Sequence, residues 1–137
     1  MTPLQSTTVL VGRILLGLIF VLSGFAKISG FDGTAGYIAS KGLPLPQLLA
    51  ALTIVVELGG GLALMAGLYT RQAVIALAGF SLLTAVVFHN FWAAPQADQM
   101  GQQINFMKNL AIAGGMLVVA AFGPGRLSVD ARRLASA

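Results

Sequence analysis

The chain has 137 residues, enough for a single domain, of which 57% are apolar and 9% charged, and its mean hydropathy is +0.88. A water-soluble domain carries about 25% charged side chains, so eight cations and four acids are too few to cover one, and lipid is the predicted solvent. The net charge of +4 is too scattered for a nucleic-acid interface, and the lack of cysteine excludes disulfides and thiol redox chemistry.

Four apolar stretches are long enough to cross a membrane, which takes about 20 mostly apolar residues. They are Val9–Ile28, Leu48–Leu68, Gln72–Phe91 and Ile104–Phe122. All five prolines fall outside these stretches, which predicts unbroken helices. The expected fold is therefore an all-α bundle of four transmembrane helices, forming one domain over residues 1–137.

The three connections differ in length and polarity. Tyr69–Arg71 is so short that spans two and three should form a tight antiparallel pair. The first connection, Ser29–Gln47, is too polar to cross the membrane, and its middle, Thr34–Lys41, predicts a short interfacial helix that ends at Gly42. The third, Ala93–Gln103, is expected to be a polar loop.

The cations flanking the spans predict an orientation, because loops rich in Lys and Arg stay in the cytoplasm. One side carries Arg71, Arg126, Arg132 and Arg133, with Arg13 just inside its span, and the other carries Lys41, Lys27 and Lys108. The arginine-rich side is the predicted cytoplasmic side. Both termini would then be cytoplasmic.

Small residues recur at every fourth position on two spans. They are Gly59, Ala63 and Gly67 on span two, with Ala111 and Gly115 on span four. Such stripes let helix backbones approach closely in lipid. They predict packing seams within the bundle.

Glu57 lies close to the middle of span two. A charge in the hydrocarbon core costs about 2.5–3.5 kcal/mol, so its position calls for a reason. One interpretation is a structural ion pair with Arg13 or Lys108. The other is a carboxylate that handles protons or binds a ligand, and the two are compatible.

Arg13 lies one turn inside the first span and shares a helical face with Gly17, Phe20, Gly24 and Lys27. A long cationic side chain at this depth can extend to the lipid headgroups. A face with two cations and two glycines nevertheless favours an orientation into the bundle.

Polar residues also gather at the lysine-bearing ends of three spans. They are Lys27, His89, Asn90, Asn105, Lys108 and Asn109, with Trp92 beside them. Taken singly, His89 could be an interfacial histidine and Trp92 part of the aromatic belt. Together they predict one ligand-binding pocket with an aromatic rim, with His89 and Glu57 as candidate catalytic groups. A metal site is not expected, because the chain has one histidine and no second carboxylate near it.

Several short stretches carry a resemblance to a known family. They are Gly24–Lys27, Tyr37–Pro44, Glu57–Gly60, Gly67–Arg71, Phe88–Trp92, Asn105–Asn109, Gly114–Gly115 and Gly123–Gly125. Together they resemble the DoxX family of small four-helix membrane proteins over nearly the whole chain. The resemblance implies a multi-pass protein of the bacterial inner membrane with a link to redox chemistry. Members include subunits of thiosulfate:quinone oxidoreductase and proteins tied to catechol and quinone resistance.

Two functional hypotheses follow. The first is a quinone-linked component of a membrane redox or detoxification system, in which a quinone is the bound substrate and the chain supplies no cofactor of its own. Its electrons would have to come from a partner. The second is a non-catalytic scaffold or small-molecule carrier that recruits a soluble redox enzyme. Beyond the lipid bilayer, the expected partners are such an enzyme or further copies of the chain, and whether the chain is itself an enzyme stays open here.

Overall fold

A computed structural model describes residues 1–136, which form six α-helices and a short 3-10 turn at Phe91–Ala93. The helices are α1 (Pro3–Ser29), α2 (Phe31–Ser40), α3 (Pro46–Ala66), α4 (Thr70–Phe88), α5 (Gln96–Phe122) and α6 (Val129–Ala135). Within these residues α1, α3, α4 and α5 are long and apolar enough to cross a membrane. The prediction of an all-α protein with four spans is confirmed.

Local sequence explains why α1 begins six residues before the predicted span. The Thr2 hydroxyl accepts a hydrogen bond from the Gln5 N–H, and the Thr2 N–H donates to the Gln5 side chain. This reciprocal cap satisfies two free N–H groups of the first turn, and Pro3 fits the first helical position.

The expected polar loop at Ala93–Gln103 is wrong for most of its length. Helix α5 already begins at Gln96, immediately after Pro95. The glutamines, alanine and methionine of this segment favour helix despite their polarity. At about 1.5 Å per residue, the 27 residues of α5 exceed the roughly 30 Å of a bilayer core, so its first turns extend beyond the hydrocarbon.

The spans pack mainly as two pairs, α1 with α3 and α4 with α5, and α3 also packs against α4. The buried core draws on all four spans and comprises Phe20, Leu64, Val74, Leu77, Ala78, Ala113 and Met116. Many large apolar side chains instead point outward, such as Leu15, Leu83 and Phe122. An apolar exterior around a small core is the arrangement expected when lipid surrounds the protein.

Glycines bring α1 and α3 together. A Cβ atom added to Gly17 would lie 2.8 Å from the Gly61 carbonyl oxygen, and one on Gly61 would lie 3.0 Å from the Gly17 carbonyl oxygen. Gly115 packs against Leu16, which confirms that member of the predicted seams. The predicted role of Gly59 is wrong, because Gly59 is exposed and a Cβ there would meet nothing within 4 Å.

Helix α2 confirms the short helix predicted after span one, although it begins at Phe31 rather than Thr34. Its buried side chains Ala35 and Ile38 pack on Ala50 near the start of α3. The Tyr37 hydroxyl donates to the Phe88 carbonyl at the end of α4, 3.1 Å away. Helix α2 therefore closes one end of the bundle, called here the α2 end.

Arg13 anchors the opposite end, called the α6 end, where α3 ends and α6 begins. Its guanidinium is fully buried and donates to the carbonyls of Leu64 (2.9 Å), Met65 (3.2 Å) and Leu127 (2.6 Å). The inward orientation predicted for Arg13 is confirmed. Its predicted pairing with Glu57 is wrong, because two carbonyls in the last turn of α3 hold the guanidinium at the α6 end.

Asp130 joins α6 to the turn between α3 and α4. Its carboxylate accepts hydrogen bonds of 2.8 Å from the Tyr69 N–H, the Thr70 N–H and the Thr70 hydroxyl. Burial by itself raises the pKa of Asp130, but these hydrogen bonds and the nearby charge of Arg133 outweigh it, and the pKa is lowered from its ordinary value of 3.8. Asp130 thus caps α4 from a distant part of the chain.

Candidate ligand-binding cavity

A cavity of about 380 Å³ opens between the helices near the α2 end, with α1 to α5 all contributing to its walls. Its apolar lining includes Ile19, Phe20, Ile38, Phe80, Phe88 and Ile112. Its polar lining comprises Ser23, Lys27, Thr34, Tyr37, Thr53, Glu57, Ser81, Thr84, His89 and Asn109. The volume falls in the range of about 300–1,000 Å³ that small-molecule sites occupy.

Glu57 and Lys27 form an ion pair on one wall of this cavity. Lys27 Nζ lies 2.9 Å from Glu57 Oε2 and donates to Glu57 Oε1 at 3.2 Å. The Glu57 side chain is 6% exposed and that of Lys27 is 27% exposed. Glu57 therefore faces the bundle interior, but its partner is Lys27 rather than Arg13 or Lys108.

The sequence of α1 explains how Lys27 reaches Glu57. Gly24 lies where α1 crosses α3, and a Cβ there would meet the Glu57 Cβ at 3.2 Å. Ser23 lies four residues before Lys27, so both occupy one helical face. The Ser23 hydroxyl accepts from Lys27 Nζ at 2.6 Å and donates to Glu57 Oε1 at 3.1 Å.

The two carboxylate oxygens of Glu57 are held differently. Among residues 1–136, no group donates a well-directed hydrogen bond to the buried Oε2 atom, and its contact with Lys27 is ionic. A buried carboxylate oxygen usually accepts hydrogen bonds. Oε2 therefore depends on the Lys27 ammonium to balance its charge.

The part of the cavity wall formed by α4 and α5 carries an amide. Asn109 of α5 donates through Nδ2 to the Thr84 hydroxyl of α4 at 3.1 Å. That hydroxyl in turn donates toward the carbonyls of Phe80 (2.9 Å) and Ser81 (3.1 Å). Because an amide group has two donor hydrogens and an acceptor oxygen, Asn109 keeps one hydrogen and its oxygen for another partner.

His89 lines the cavity just after the end of α4. Its backbone N–H bonds to the Ala85 carbonyl, and its Nδ1 lies 2.9 Å from the Gln102 side-chain oxygen on α5. If that oxygen accepts, Nδ1 carries the proton and Nε2 is an acceptor in the neutral ring. Gln102 therefore sets which ring nitrogen can take up a proton.

The predicted pocket is only partly assembled. Lys27, His89 and Asn109 line the cavity together with Glu57, whereas Asn105 and Lys108 do not. Asn105 is half-buried and lies on the same face of α5 as Asn109, but one turn nearer the start of the helix. Lys108 lies on a different face and is exposed. Their predicted membership of one shared pocket is wrong.

Asn90 and Trp92 also lie outside the cavity lining. Asn90 accepts a hydrogen bond from Lys41 Nζ at 3.3 Å, which ties the end of α2 to the end of α4. Trp92 is 57% exposed and packs edge-to-face on Phe91 and Phe106, with ring centroids 5.3 and 5.7 Å away. The aromatic rim exists as this cluster, beside the cavity rather than around it.

The sequence pattern did not indicate several residues of the site. Their side chains are hydroxyls or amides, which are common in membrane helices and loops and give a weaker signal than charges; they are Ser23, Tyr37, Thr84 and Gln102. Ser23 could have been found from its spacing of four residues to Lys27. Thr84 and Asn109 lie on different helices, so no local spacing in the sequence predicts their hydrogen bond.

The cavity thus combines an apolar interior with a charged pair, an amide and a histidine. It can surround a flat apolar molecule and offer hydrogen bonds to polar atoms on its edge. Glu57 and His89 can exchange protons with such a molecule, because each has an atom not engaged as a hydrogen-bond acceptor by residues 1–136.

Comparison with known proteins gives consistent matches. The family described as DoxX matches residues 8–90. The inner membrane protein YphA of Escherichia coli (strain K12) is 41% identical over 124 residues, covering 90% of this chain and 88% of YphA. The inner membrane protein YqjF of the same strain is 42% identical over 130 residues, covering 95% of each chain.

A more distant match is a Bacillus subtilis (strain 168) protein named "Putative oxidoreductase CatD", 35% identical over 75 residues, or 55% of this chain and 54% of that protein. No solved structure matches the chain significantly. The family match covers more than half of the chain, both E. coli relatives are inner membrane proteins, and four helices can span a bilayer. The chain belongs to the DoxX family and is a multi-pass inner membrane protein.

Proposed function

We propose that this protein is a quinone-linked component of a membrane redox or detoxification system, and that the cavity near the α2 end holds the quinone headgroup. The observation that carries the proposal is the combination of aromatic and aliphatic walls with the Lys27–Glu57 pair on α1 and α3 and Asn109 on α5. A quinone headgroup has the same pattern, a flat apolar ring with a carbonyl oxygen at each of two opposite edges.

The remaining hydrogen-bond capacity of the cavity matches those two carbonyl oxygens. Lys27 has three ammonium hydrogens, of which Ser23 and Glu57 engage two. Asn109 has one amide hydrogen beyond the one given to Thr84. One carbonyl would accept from Lys27 on α1 and the other from Asn109 on α5.

Reduction of a quinone to a quinol takes two electrons and two protons, and each carbonyl oxygen becomes a hydroxyl. Glu57 and His89 would each first take up a proton from outside the cavity and then pass it to one of the two carbonyl oxygens, which returns them to the ionised carboxylate and the neutral ring. The electrons would come from a soluble redox enzyme acting as donor, because the chain has no cysteine that could cycle between thiol and disulfide. The similarity to a protein named as an oxidoreductase supports this direction.

The test is quinone content after purification. Protein extracted in mild detergent should carry quinone that organic solvent releases and chromatography identifies. His89→Ala and Asn109→Ala should lower the quinone retained per protein while leaving helix content and expression unchanged. Asn105→Ala is the matched control, because Asn105 lies on the same helix as Asn109 but outside the cavity. Parent-like quinone content in both cavity variants would count against the proposal.

The second candidate is a non-catalytic scaffold or small-molecule carrier that recruits a soluble redox enzyme. One observation favours it: the polar groups of the cavity already bond to each other, Glu57 to Lys27 and Ser23, and Asn109 to Thr84. Such pairs can stabilise helix packing without binding anything. Purification of a stoichiometric soluble enzyme with quinone-free protein would favour this candidate.

A further inference from the structure

A second hollow, of about 770 Å³, lies at the α6 end of the bundle, far from the cavity described above. It is bordered by the start of α4, the end of α5 and helix α6. Its lining includes Tyr69, Arg71, Phe122, Arg126, Arg133 and Leu134. We call it the arginine groove.

The charge of the arginine groove is positive. Three arginines line it against one acid, Asp130, and the Asp130 carboxylate is occupied by the hydrogen bonds that cap α4. Arg133 stacks on Tyr69, with its guanidinium carbon 5.0 Å from the ring centroid. Within the described residues, Arg71 and Arg126 form no side-chain hydrogen bond and no ion pair. Two guanidinium groups are therefore available to an anion.

The groove also exposes large apolar side chains next to these cations. Phe122, the last residue of α5, is 79% exposed, and Leu134 on α6 is 81% exposed. A free phosphate ion would gain nothing from them. A phospholipid would, because its acyl chain leaves the headgroup toward the hydrocarbon that surrounds the spans.

The walls of the groove are held in place by the fold. Asp130 fixes α6 to the start of α4, and Arg13 donates to the Leu127 carbonyl just before α6. The Ser128 hydroxyl caps α6 by accepting from the Ala131 N–H at 3.1 Å. A groove built on such contacts loses little conformational freedom when a ligand binds, which favours affinity.

From these observations we infer that the arginine groove binds the phosphate headgroup of an anionic phospholipid. Arg71 and Arg126 contact the phosphate, since each guanidinium can donate two parallel hydrogen bonds to the oxygens of one phosphate group. Phe122 and Leu134 contact the start of the acyl chains. This site is separate from the quinone proposal, and either can fail without the other.

Native mass spectrometry of the detergent-solubilised protein tests the inference. Phosphatidylglycerol and phosphatidylcholine with identical acyl chains are titrated in parallel, and the lipid-bound fraction is counted. Phosphatidylglycerol should bind more tightly. Arg71→Gln and Arg126→Gln should each weaken its binding about fivefold, the factor that corresponds to about 1 kcal/mol for one cation near an anionic headgroup.

Arg132→Gln is the matched control, because Arg132 lies on α6 beside Arg133 but does not line the groove. It should bind phosphatidylglycerol as the parent does. Equal losses in all three variants would show unspecific attraction to a basic surface and would overturn the site. Equal binding of the two lipids would also overturn it.

Water-soluble glycerol phosphate separates a lipid site from a site for free anions. At millimolar concentration it should displace little phosphatidylglycerol, because it lacks acyl chains for Phe122 and Leu134. Full displacement would reassign the groove to a soluble phosphate compound and refute the lipid inference. The variants themselves should unfold at the parent temperature, since Arg71 and Arg126 are exposed.

Discussion

Removal of Lys27 should destabilise this protein more than removal of its partner Glu57. In Lys27→Met, the Glu57 carboxylate stays in a site where only 6% of its side chain is exposed, and it keeps one hydrogen bond, from Ser23. Leaving a buried charge without its partner costs about 3–5 kcal/mol. The expected loss is near the lower limit, about 3 kcal/mol, because Ser23 stays in place.

Glu57→Leu leaves Lys27 instead, and 27% of that side chain is already exposed near the α2 end. Its long stem can turn the ammonium toward the lipid headgroups. The expected loss is therefore smaller, about 1–2 kcal/mol. Glu57→Gln should cost less than Glu57→Leu, because the amide oxygen can still accept from Lys27 and Ser23.

The double variant Lys27→Met with Glu57→Leu removes both charges at once. It should recover much of the loss seen in Lys27→Met alone, since an apolar pair of similar volume often replaces a buried ion pair at little cost. The coupling between the two positions should be about 3 kcal/mol, at the upper end of the range for residues in contact.

The assay is equilibrium unfolding in mixed micelles, in which a denaturing detergent is titrated against a mild one and helix content is followed by circular dichroism. The parent, the single variants and the double variant are compared under identical conditions. Additive losses, with the double variant the least stable, would refute the reasoning. So would a Glu57→Leu variant that is less stable than Lys27→Met.

Three further predictions concern the α6 end. Arg13→Met should cost about 2–4 kcal/mol, because it leaves the Met65 and Leu127 carbonyls without their donor. The same unfolding assay measures it, and parent-like stability would contradict the anchoring role. Asp130→Asn should cost about 1 kcal/mol through the lost cap on Thr70 and Tyr69. Since folding lowers the pKa of Asp130, its contribution is present above the ordinary pKa of 3.8 and lost as pH falls through the folded value, so the parent should lose this stability in acid and the variant should not. A pH series of thermal unfolding checks this, and parallel acid profiles would disprove it. A reporter fused to the C terminus should be active only in its cytoplasmic form, and periplasmic activity would overturn the predicted orientation.

Most of the architecture could be predicted from residue type alone. The number of spans follows from four apolar stretches, because lipid accepts apolar side chains and requires every backbone group to bond within the helix. The inward orientation of Arg13 and Glu57 follows from the same solvent, since a charge is costly on a lipid-facing surface. The ends of the helices are harder to predict than their number. Helix α5 begins in polar residues that favour helix, and the hydropathy pattern does not register that propensity.

Which side chains pair with each other across the helices could not be predicted from the sequence. The sequence pointed to Arg13 or Lys108 as the partner of Glu57 and not to Lys27, because the cation that reaches it depends on how far α1 is rotated and shifted along α3. The close contact at Gly17, Gly24 and Gly61 decides this and places Lys27 against Glu57. Arg13, about four turns before Lys27 on α1, bonds to carbonyls of α3 and to the Leu127 carbonyl instead.

The same distinction holds for the two cavities. The residue pattern alone places polar residues at the α2 end and arginines at the α6 end, because most charges of a membrane helix must lie where water can reach them. That Asn109 lines the cavity while Asn105 and Lys108 do not, and that Asp130 bonds to the start of α4, follows only from the packing of the helices. Those outcomes depend on contacts between distant segments, and the geometry of such contacts is determined by the packing of whole helices rather than by any local pattern of residues.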